Sequence, residues 1–372
     1  MSKHSLPSST NEIKPLTGIR GIAAFGVMLY HINYNAHFPN SIFSFTHKSY
    51  LFVDLFFILS GFVLALRYRE WFVTRLTPSR ALSFMAQRLG RIYPAYFVAT
   101  SLYYVRWLVN LSGHRLTEFN AHDILANLLL IQGWGINTEA ICGPGWSVST
   151  EMFAYLLFPI LIFFFTAKGL GRCALLVVAA VAGICCVAAS PYGVNGALDV
   201  VNTSFMPLLR CVSEFCLGLV AFEVAHHEAC ERILSRVWVV PLLLIVMAGL
   251  LGLDISDVLF VLTIPILVIS LSYNGRMSSL LFGNRFIHRL GVISYSLYLL
   301  HPLMIDIAGR LMQISANRYG ITAQVPFIAF AIVCAVAAAS FMQRSVEIQG
   351  RSFVKKLTLR LLPAAPSTGN LL

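Results

Sequence analysis

The first residues that could do chemistry are two ionisable side chains in one apolar stretch, Arg20 and His31 of residues 16–31. They are eleven positions apart, so at about 100° per residue both fall on one face of a helix, about 16 Å apart along its axis. An ionisable side chain inside lipid costs at least a few kcal/mol. We therefore expect this face to look into protein or a water-filled cavity, where a histidine can act as a general base.

Asp54 is the predicted partner of His31. It lies about one turn inside the next apolar stretch, and the topology given below places it at a membrane depth similar to that of His31. A carboxylate bonded to one imidazole nitrogen fixes the tautomer and leaves the other nitrogen free as a base. The alternative is a structural His–Asp pair that braces two helices.

Arg88 and Arg91 are the candidates for anion binding. They stand at i and i+3, so in a helix they share a face, and two guanidinium groups at a membrane boundary suit phosphate groups. The alternative is that the basic segment 67–91 only sets topology and attracts lipid headgroups.

The segment 143–151 begins with a Gly-Pro-Gly turn and is followed by a predicted helix. Ser149 or Thr150 could cap that helix, and Glu151 would then lie in its first turn, where a carboxylate is favourable. The competing interpretation makes Glu151 a polar group at the outer mouth of a cavity.

Polar residues also occur in and beside the later spans. Arg210 and Glu214, at i and i+4, are most simply a mutually neutralising pair. His301 lies mid-membrane before a proline, and it could either pack structurally or join Arg20 and the Arg210–Glu214 pair in a polar track. Glu347, just beyond the last span, is expected to be a surface or interfacial anchor.

The composition of the chain indicates what positions these residues. Of 372 residues, 58% are hydrophobic and 12% charged, whereas a soluble domain has about 25% charged residues. The mean hydropathy is +0.75. We predict an all-α polytopic membrane protein with about ten transmembrane helices. They lie near residues 15–33, 50–66, 92–111, 152–167, 173–190, 203–225, 237–253, 258–273, 291–311 and 324–342.

The loop charges predict the orientation of these spans. With the N-terminus inside, the inner segments carry 20 Lys and Arg residues and the outer segments carry 5. This bias places both ends in the cytoplasm, and it accounts for the net charge of +11 without a nucleic-acid partner. We expect no signal peptide, a polar tail at 1–14, a membrane-embedded domain at 15–347 and a cytoplasmic tail at 348–372.

The eight cysteines show no CxxC pair and no metal-ligand spacing, so free thiols and no metal site are predicted. Two classes of function fit the remaining pattern. One is a transferase with a phosphate-bearing cytoplasmic donor and an outer acceptor. The other is a transmembrane carrier or flippase with an intramembrane relay. Transporters often show two related halves, and the lack of a convincing internal repeat favours the enzyme.

Five motifs, in order, resemble those of the membrane-bound acyltransferase 3 family, whose members acylate O-antigen, exopolysaccharides, Nod factors and macrolides. They are LTGIRGIAAFGVMLYH, FVDLFFILSGFVLAL, RLGRIYPAY, GWSVSTEMFAYLLFP and ISYSLYLLHPL. The resemblance covers nearly the whole chain. One departure is Thr150, where the family often has a second acidic residue. A stand-alone member without an appended SGNH-type domain is expected.

The resemblance implies an acyl-CoA donor, most simply acetyl-CoA, and a sugar or glycoconjugate hydroxyl as acceptor, in a bacterial inner membrane. It implies functional roles for His31, Arg88 and Arg91, with Asp54 and Glu151 as further candidates. The predicted mechanism binds the donor phosphates near Arg88 and Arg91. His31, oriented by Asp54, then acts as general base or itself takes the acyl group. Further candidates are Arg20 for the donor, and Trp146, Ser149, Tyr298, His301, Arg210 and Glu214.

Overall fold

The computed structural model describes residues 12–35, 46–109, 119–164, 170–201 and 204–361, and this part of the chain is helical, without strands. The helices are α1 Lys14–Asn33, α2 Phe52–Phe72, α3 Pro78–Leu108, α4 Ala121–Leu128, α5 Gly145–Phe164, α6 Leu170–Ala188, α7 Met206–Val224, α8 Glu228–Leu234, α9 Val239–Gly252, α10 Asp257–Ser272, α11 Arg276–Phe282, α12 Arg285–Val292, α13 Ser294–Tyr319, α14 Gln324–Met342 and α15 Ile348–Leu361.

A helix occupies each of the ten predicted spans, as expected for a helical membrane protein. Within the described ranges, four helical segments are long and apolar enough to cross a membrane, and up to seven are if each of three bent pairs counts as one span. Helices α1, α3 and α7, which carry Arg20, Arg88 and Arg210, are outside this set. The number ten and the orientation stay predictions.

The three bent pairs each join a short helix to a long apolar one. The bends are 75° between α8 and α9, 107° between α10 and α11, and 74° between α12 and α13. In α12 the side chain of Asn284 caps the helix by accepting from the backbone N–H of Ile287 at 3.0 Å. A helix turned this sharply does not continue the span beside it, so α12 runs across the end of the bundle.

Helices α2 and α7 approach each other at backbone distance. In the α2–α7 pair, Gly61 lies against the carbonyl of Phe215, and Gly218 against that of Ile58. Any larger side chain at these positions would force the helices apart. Among the four long apolar segments in the described part of the chain, the one that contains α2 is the most buried, with 78% of its apolar window inside the protein.

The segment after α14 belongs to the helical bundle. A π-helical turn at Gln343–Glu347 leads into α15, where Val354 packs on Gly90 of α3 and Gly350 packs on Pro94. The region predicted as a tail at 348–372 therefore begins with a docked helix.

The expectation that Glu347 is a surface anchor is wrong. It is 1% exposed, accepts a hydrogen bond from Ser296 and pairs with Arg351 at 3.1 Å. A buried carboxylate requires hydrogen-bonding or charged partners. The position of Glu347 in the sequence did not reveal these partners.

Candidate active site between two cavities

His31 and His301 face each other across the α1–α13 contact. The Nδ1 atom of His31 lies 2.9 Å from the carbonyl oxygen of Val27 and 3.2 Å from Nε2 of His301. The Nδ1 atom of His301 lies 3.1 Å from the carbonyl oxygen of Leu297. A carbonyl oxygen only accepts, so we assign a hydrogen to Nδ1 of each ring. The one Nδ1 hydrogen of His31 is then shared between the Val27 carbonyl and Nε2 of His301, and Nε2 of His31 keeps a free lone pair.

The predicted pairing of His31 with Asp54 is wrong. Both Asp54 oxygens accept from Arg210, at 2.7 Å from Nε and 2.6 Å from a terminal nitrogen, and the two side chains are almost fully buried. Asp54 therefore neutralises a buried guanidinium instead of orienting a histidine.

The predicted Arg210–Glu214 pair exists at 3.6 Å but is secondary to the bidentate Asp54 contact. The two Glu214 oxygens are buried and lack a hydrogen bond that meets the usual geometry. One guanidinium thus serves two carboxyl groups on two helices, and the cluster binds α2 to α7.

His31 lines a cavity of about 700 Å³, called here the histidine cavity, together with Trp146 and Glu139. Two contacts stabilise the position of Trp146: its ring centroid lies 6.2 Å from that of Phe57 and 5.9 Å from the Arg210 guanidinium. The buried ion pair therefore supports a wall of the cavity that contains His31.

A polar network fixes the segment 190–201 beside this cavity. Asp199 accepts from Tyr30, the neighbour of His31, at 2.8 Å and from Asn195 at 2.8 Å. Lys48 pairs with Asp254 and, at 2.9 Å, with Asp257. Although burial alone would lower it, these two hydrogen-bonded carboxylates raise the pKa of Lys48 above its ordinary value. The network ties α1 to the loops that precede α7 and α10.

A second cavity, of about 800 Å³ and called here the arginine cavity, contains Arg20, Arg88, Arg91 and Glu151. The sequence placed Arg88 and Arg91 on one helical face, and both line this cavity. Arg88 donates to the hydroxyl of Tyr68 at 2.7 Å, which holds its side chain in place. Arg20 lines the same cavity.

The capping prediction for Glu151 is wrong, whereas Glu151 does line a cavity, as the competing interpretation expects. Helix α5 begins at Gly145, so Glu151 is in the second turn and caps nothing. Its Oε1 accepts from Ser60 at 2.5 Å and from Tyr155 at 2.6 Å, inside the arginine cavity and away from the cavity of His31.

Ser149 also lies inside α5. Its hydroxyl donates to the carbonyl of Leu130 at 2.8 Å and accepts from the N–H of Gly133 at 3.0 Å. It holds the loop after α4 against α5 rather than capping the helix.

A thin wall of side chains separates the two cavities. Trp146 lines the histidine cavity, and the next residue, Ser147, lines the arginine cavity. The Ser147 hydroxyl is 2.9 Å from that of Tyr298, and the Tyr298 ring centroid is 6.0 Å from that of His301. The bundle thus holds a histidine with a free nitrogen on one side of the wall and three arginines on the other.

Sequence reasoning missed Ser147, Ser60 and Tyr155, and it missed the contact between the two histidines. One signal was available, since Tyr298 and His301 stand at i and i+3 and share a face of α13. That face meets α1 and α5, which the sequence alone does not reveal. Chemically, the arrangement can bind a polyanion at one cavity and remove a proton from a neutral group at the other.

Comparison with known proteins is consistent with this chemistry. A family model described as an acyltransferase domain matches residues 13–342. The chain is 30% identical over 164 residues to a Streptomyces mycarofaciens protein named "Acyltransferase MdmB", which is 42% of this chain and 40% of that protein. It is 26% identical over 161 residues to "Putative O-acetyltransferase SACOL0978" of Staphylococcus aureus strain COL, which is 40% of this chain and 24% of that protein.

A Rhizobium radiobacter protein named "Protein 2 in picA locus" is 40% identical over 89 residues, 23% of this chain and 41% of that protein. The chain therefore spans less than half the length of these curated relatives. No solved structure matches it.

Proposed function

Because the chain belongs to the acyltransferase 3 family, we propose that it is an integral-membrane O-acyltransferase. It transfers an acyl group, most simply acetyl, from cytoplasmic acyl-CoA to a hydroxyl of a sugar or glycoconjugate on or near the outer face. The observation that carries the proposal is that His31 lines one cavity while three arginines line the adjoining one.

The arginine cavity is the proposed donor site. Arg20, Arg88 and Arg91 present guanidinium groups that suit the phosphates of coenzyme A. The pantetheine arm runs from them along the cavity to the wall at Ser147 and Tyr298, and this wall must open for the thioester to reach the acceptor hydroxyl beside His31.

The proposed transfer is a general-base step. Nε2 of His31 removes the proton from the acceptor hydroxyl, the oxygen attacks the thioester carbonyl, and the carbon–sulfur bond breaks. The proton on His31 passes to the departing CoA thiolate. His301 accepts from Nδ1 of His31 throughout and stabilises the imidazolium. The Tyr298 hydroxyl, at the wall, turns from Ser147 to donate to the developing oxyanion.

The proposed setting is the inner membrane of a bacterium, with ten spans and both ends in the cytoplasm. The excess of Lys and Arg in the inner segments supports this orientation. A topology reporter fused at Asn137 is then periplasmic, and a cytoplasmic signal there would contradict the model.

The test uses the purified full chain in detergent with radiolabelled acetyl-CoA and a glycan acceptor. We expect His31→Ala to abolish transfer, a loss of about 10²–10⁴-fold, while CoA affinity is kept. Arg88→Ala with Arg91→Ala should weaken CoA binding. The control is Arg318→Ala, an arginine at the far end of α13 that lies against Tyr319.

Two results would overturn the proposal. One is wild-type transfer by a folded His31→Ala protein, and the other is unchanged CoA affinity in the Arg88/Arg91 double variant. Turnover in detergent, where no gradient exists, separates an enzyme from a carrier or flippase, which needs a sealed bilayer.

A further inference from the structure

A third cavity lies outside the proposed acyl-transfer machinery. It has a volume of about 970 Å³ and opens between the start of α1, helix α12 and the end of α14. Its basic lining residues are Lys14, Arg285, His288, Arg289 and Arg344, and it shares no lining residue with the arginine cavity. We propose that it binds the phosphate headgroup of an anionic phospholipid.

Most of the positive charge of this cavity is uncompensated. In the described part of the chain, Lys14, Arg285, Arg289 and Arg344 form no ion pair, and no carboxylate lines the cavity. His288 alone contacts an acid, Glu12, at 2.9 Å. Several unpaired cations converging on one cavity repel each other, so an anion bound among them is strongly favoured.

Two of the cavity's arginines lie on one face of helix α12. Arg285 and Arg289 stand at i and i+4 and therefore share a face, and both are exposed. Like charges at this spacing destabilise an isolated helix. A phosphate group between the two guanidinium forks reverses that effect, because each fork can donate two hydrogen bonds to it.

Apolar side chains beside the cavity select a lipid over a free anion. Phe286, between the two arginines in sequence, is 84% exposed, and Phe341 is 71% exposed. Helix α12 is bent by 74° from α13, so it lies across the end of the span and not along it. A basic helix in this position with an exposed aromatic ring is typical of the membrane interface, where the headgroup meets the cations and the acyl chains meet the ring.

Headgroup binding at this cavity also acts on α1. Gly21 of α1 lies against the backbone of Gly291 in α12, and Gly18 lies against the carbonyl of Phe282. The cavity itself includes Lys14 of α1. An anion that holds Lys14 to Arg285 and Arg289 therefore clamps α1 to α12 and stabilises the folded bundle.

The experiment measures the thermal unfolding midpoint of the full chain in nanodiscs. The discs contain phosphatidylcholine alone or an equimolar mixture with phosphatidylglycerol of the same acyl chains. We expect the anionic lipid to raise the midpoint of the native protein by about 3–5 °C. Arg285→Gln with Arg289→Gln should remove at least half of that shift.

The matched control is Arg232→Gln with Arg236→Gln. These residues are also exposed, also at i and i+4 and on the same predicted side, but they lie in and after α8, away from the cavity. The control should keep the full shift. If the α12 double variant does not fold, Arg344→Gln is measured in the same way and should lose part of the shift.

Three outcomes would overturn the proposal. In the first, phosphatidylglycerol stabilises the native protein and the cavity variants equally. In the second, the α8 control loses as much of the shift as the α12 variant. In the third, inorganic phosphate added to phosphatidylcholine discs gives the same shift, which would identify a free-anion site. None of these measurements depends on acyltransferase activity.

Discussion

Replacement of His301 tests whether a second histidine supports His31 in place of a carboxylate. His301 is fully buried and touches His31 through one hydrogen bond, from Nδ1 of His31 to Nε2 of His301 at 3.2 Å. His301→Leu removes this acceptor and adds no charge. The ring of His31 then keeps only the Val27 carbonyl as a partner on that side.

The size of the effect follows from the charge that His31 gains during the reaction. A hydrogen bond to a charged group contributes about 1.5–3 kcal/mol. At about 1.4 kcal/mol for each factor of ten, loss of the bond in the transition state slows kcat by about 10–150-fold. The KM for acyl-CoA should not change, because His301 does not line the arginine cavity.

The assay is acetyl transfer by the purified protein over a range of acetyl-CoA concentrations, which separates kcat from KM. His301→Gln is the matched variant, since the glutamine amide oxygen can still accept from His31. We expect it to recover most of the lost rate. In a His31→Ala background, His301→Leu should cause no further loss, because the two residues act as one unit.

Wild-type kcat in His301→Leu would refute this role. So would a double variant that loses the product of the two single effects, since His301 would then act independently of His31. Equal losses in the leucine and glutamine variants would point to a packing role instead.

Three other predictions concern stability. Asp54→Ala should destabilise the protein by about 3–5 kcal/mol, because it leaves the Arg210 guanidinium without its bidentate partner; a native unfolding midpoint would contradict this. Gly218→Ala should cost about 1–3 kcal/mol through the clash between α2 and α7, whereas Gly249→Ala, which meets nothing within 4 Å, should cost nothing in the same thermal assay. Burial raises the pKa of Glu12, but its hydrogen bonds from Thr17 and His288 lower it below the ordinary value. The carboxylate therefore stabilises the folded protein at pH 7, and this stabilisation is lost as the pH falls. The difference in thermal unfolding midpoint between Glu12→Gln and the native protein should shrink below about pH 4, and a constant difference would contradict this.

The sequence was sufficient to locate the helices and one of the cavities. Long apolar runs interrupted by basic loops leave helices as the way to satisfy backbone groups in lipid, and a helix occupies each predicted span. The spacing of Arg88 and Arg91, and the place of Arg20 at the same end of α1, led to the arginine cavity. These inferences need only the position of a residue along a helix axis.

Partners across the bundle could not be predicted, because they depend on how each helix is rotated about its axis. A similar membrane depth made Asp54 a candidate partner of His31. The close packing of α2 on α7 at Gly61 and Gly218 instead gives α2 a rotation at which Asp54 meets Arg210. The same limit applies to His301, whose depth suggested a lone packing residue. The predicted start of α5 was too late for another reason. Ser149 looked like a helix cap, but its hydroxyl bonds to the loop after α4 and not to the end of its own helix.

The wall between the two main cavities has a consequence for how this protein can change over evolution. The arginine cavity is lined by side chains from the spans themselves, whereas most of the histidine cavity is lined by the loop residues 132–143 and by Val201. Loops tolerate substitution and insertion far better than packed helices. Under the proposed function, new acceptor preferences arise by variation in these loops alone, while the donor site is inherited unchanged.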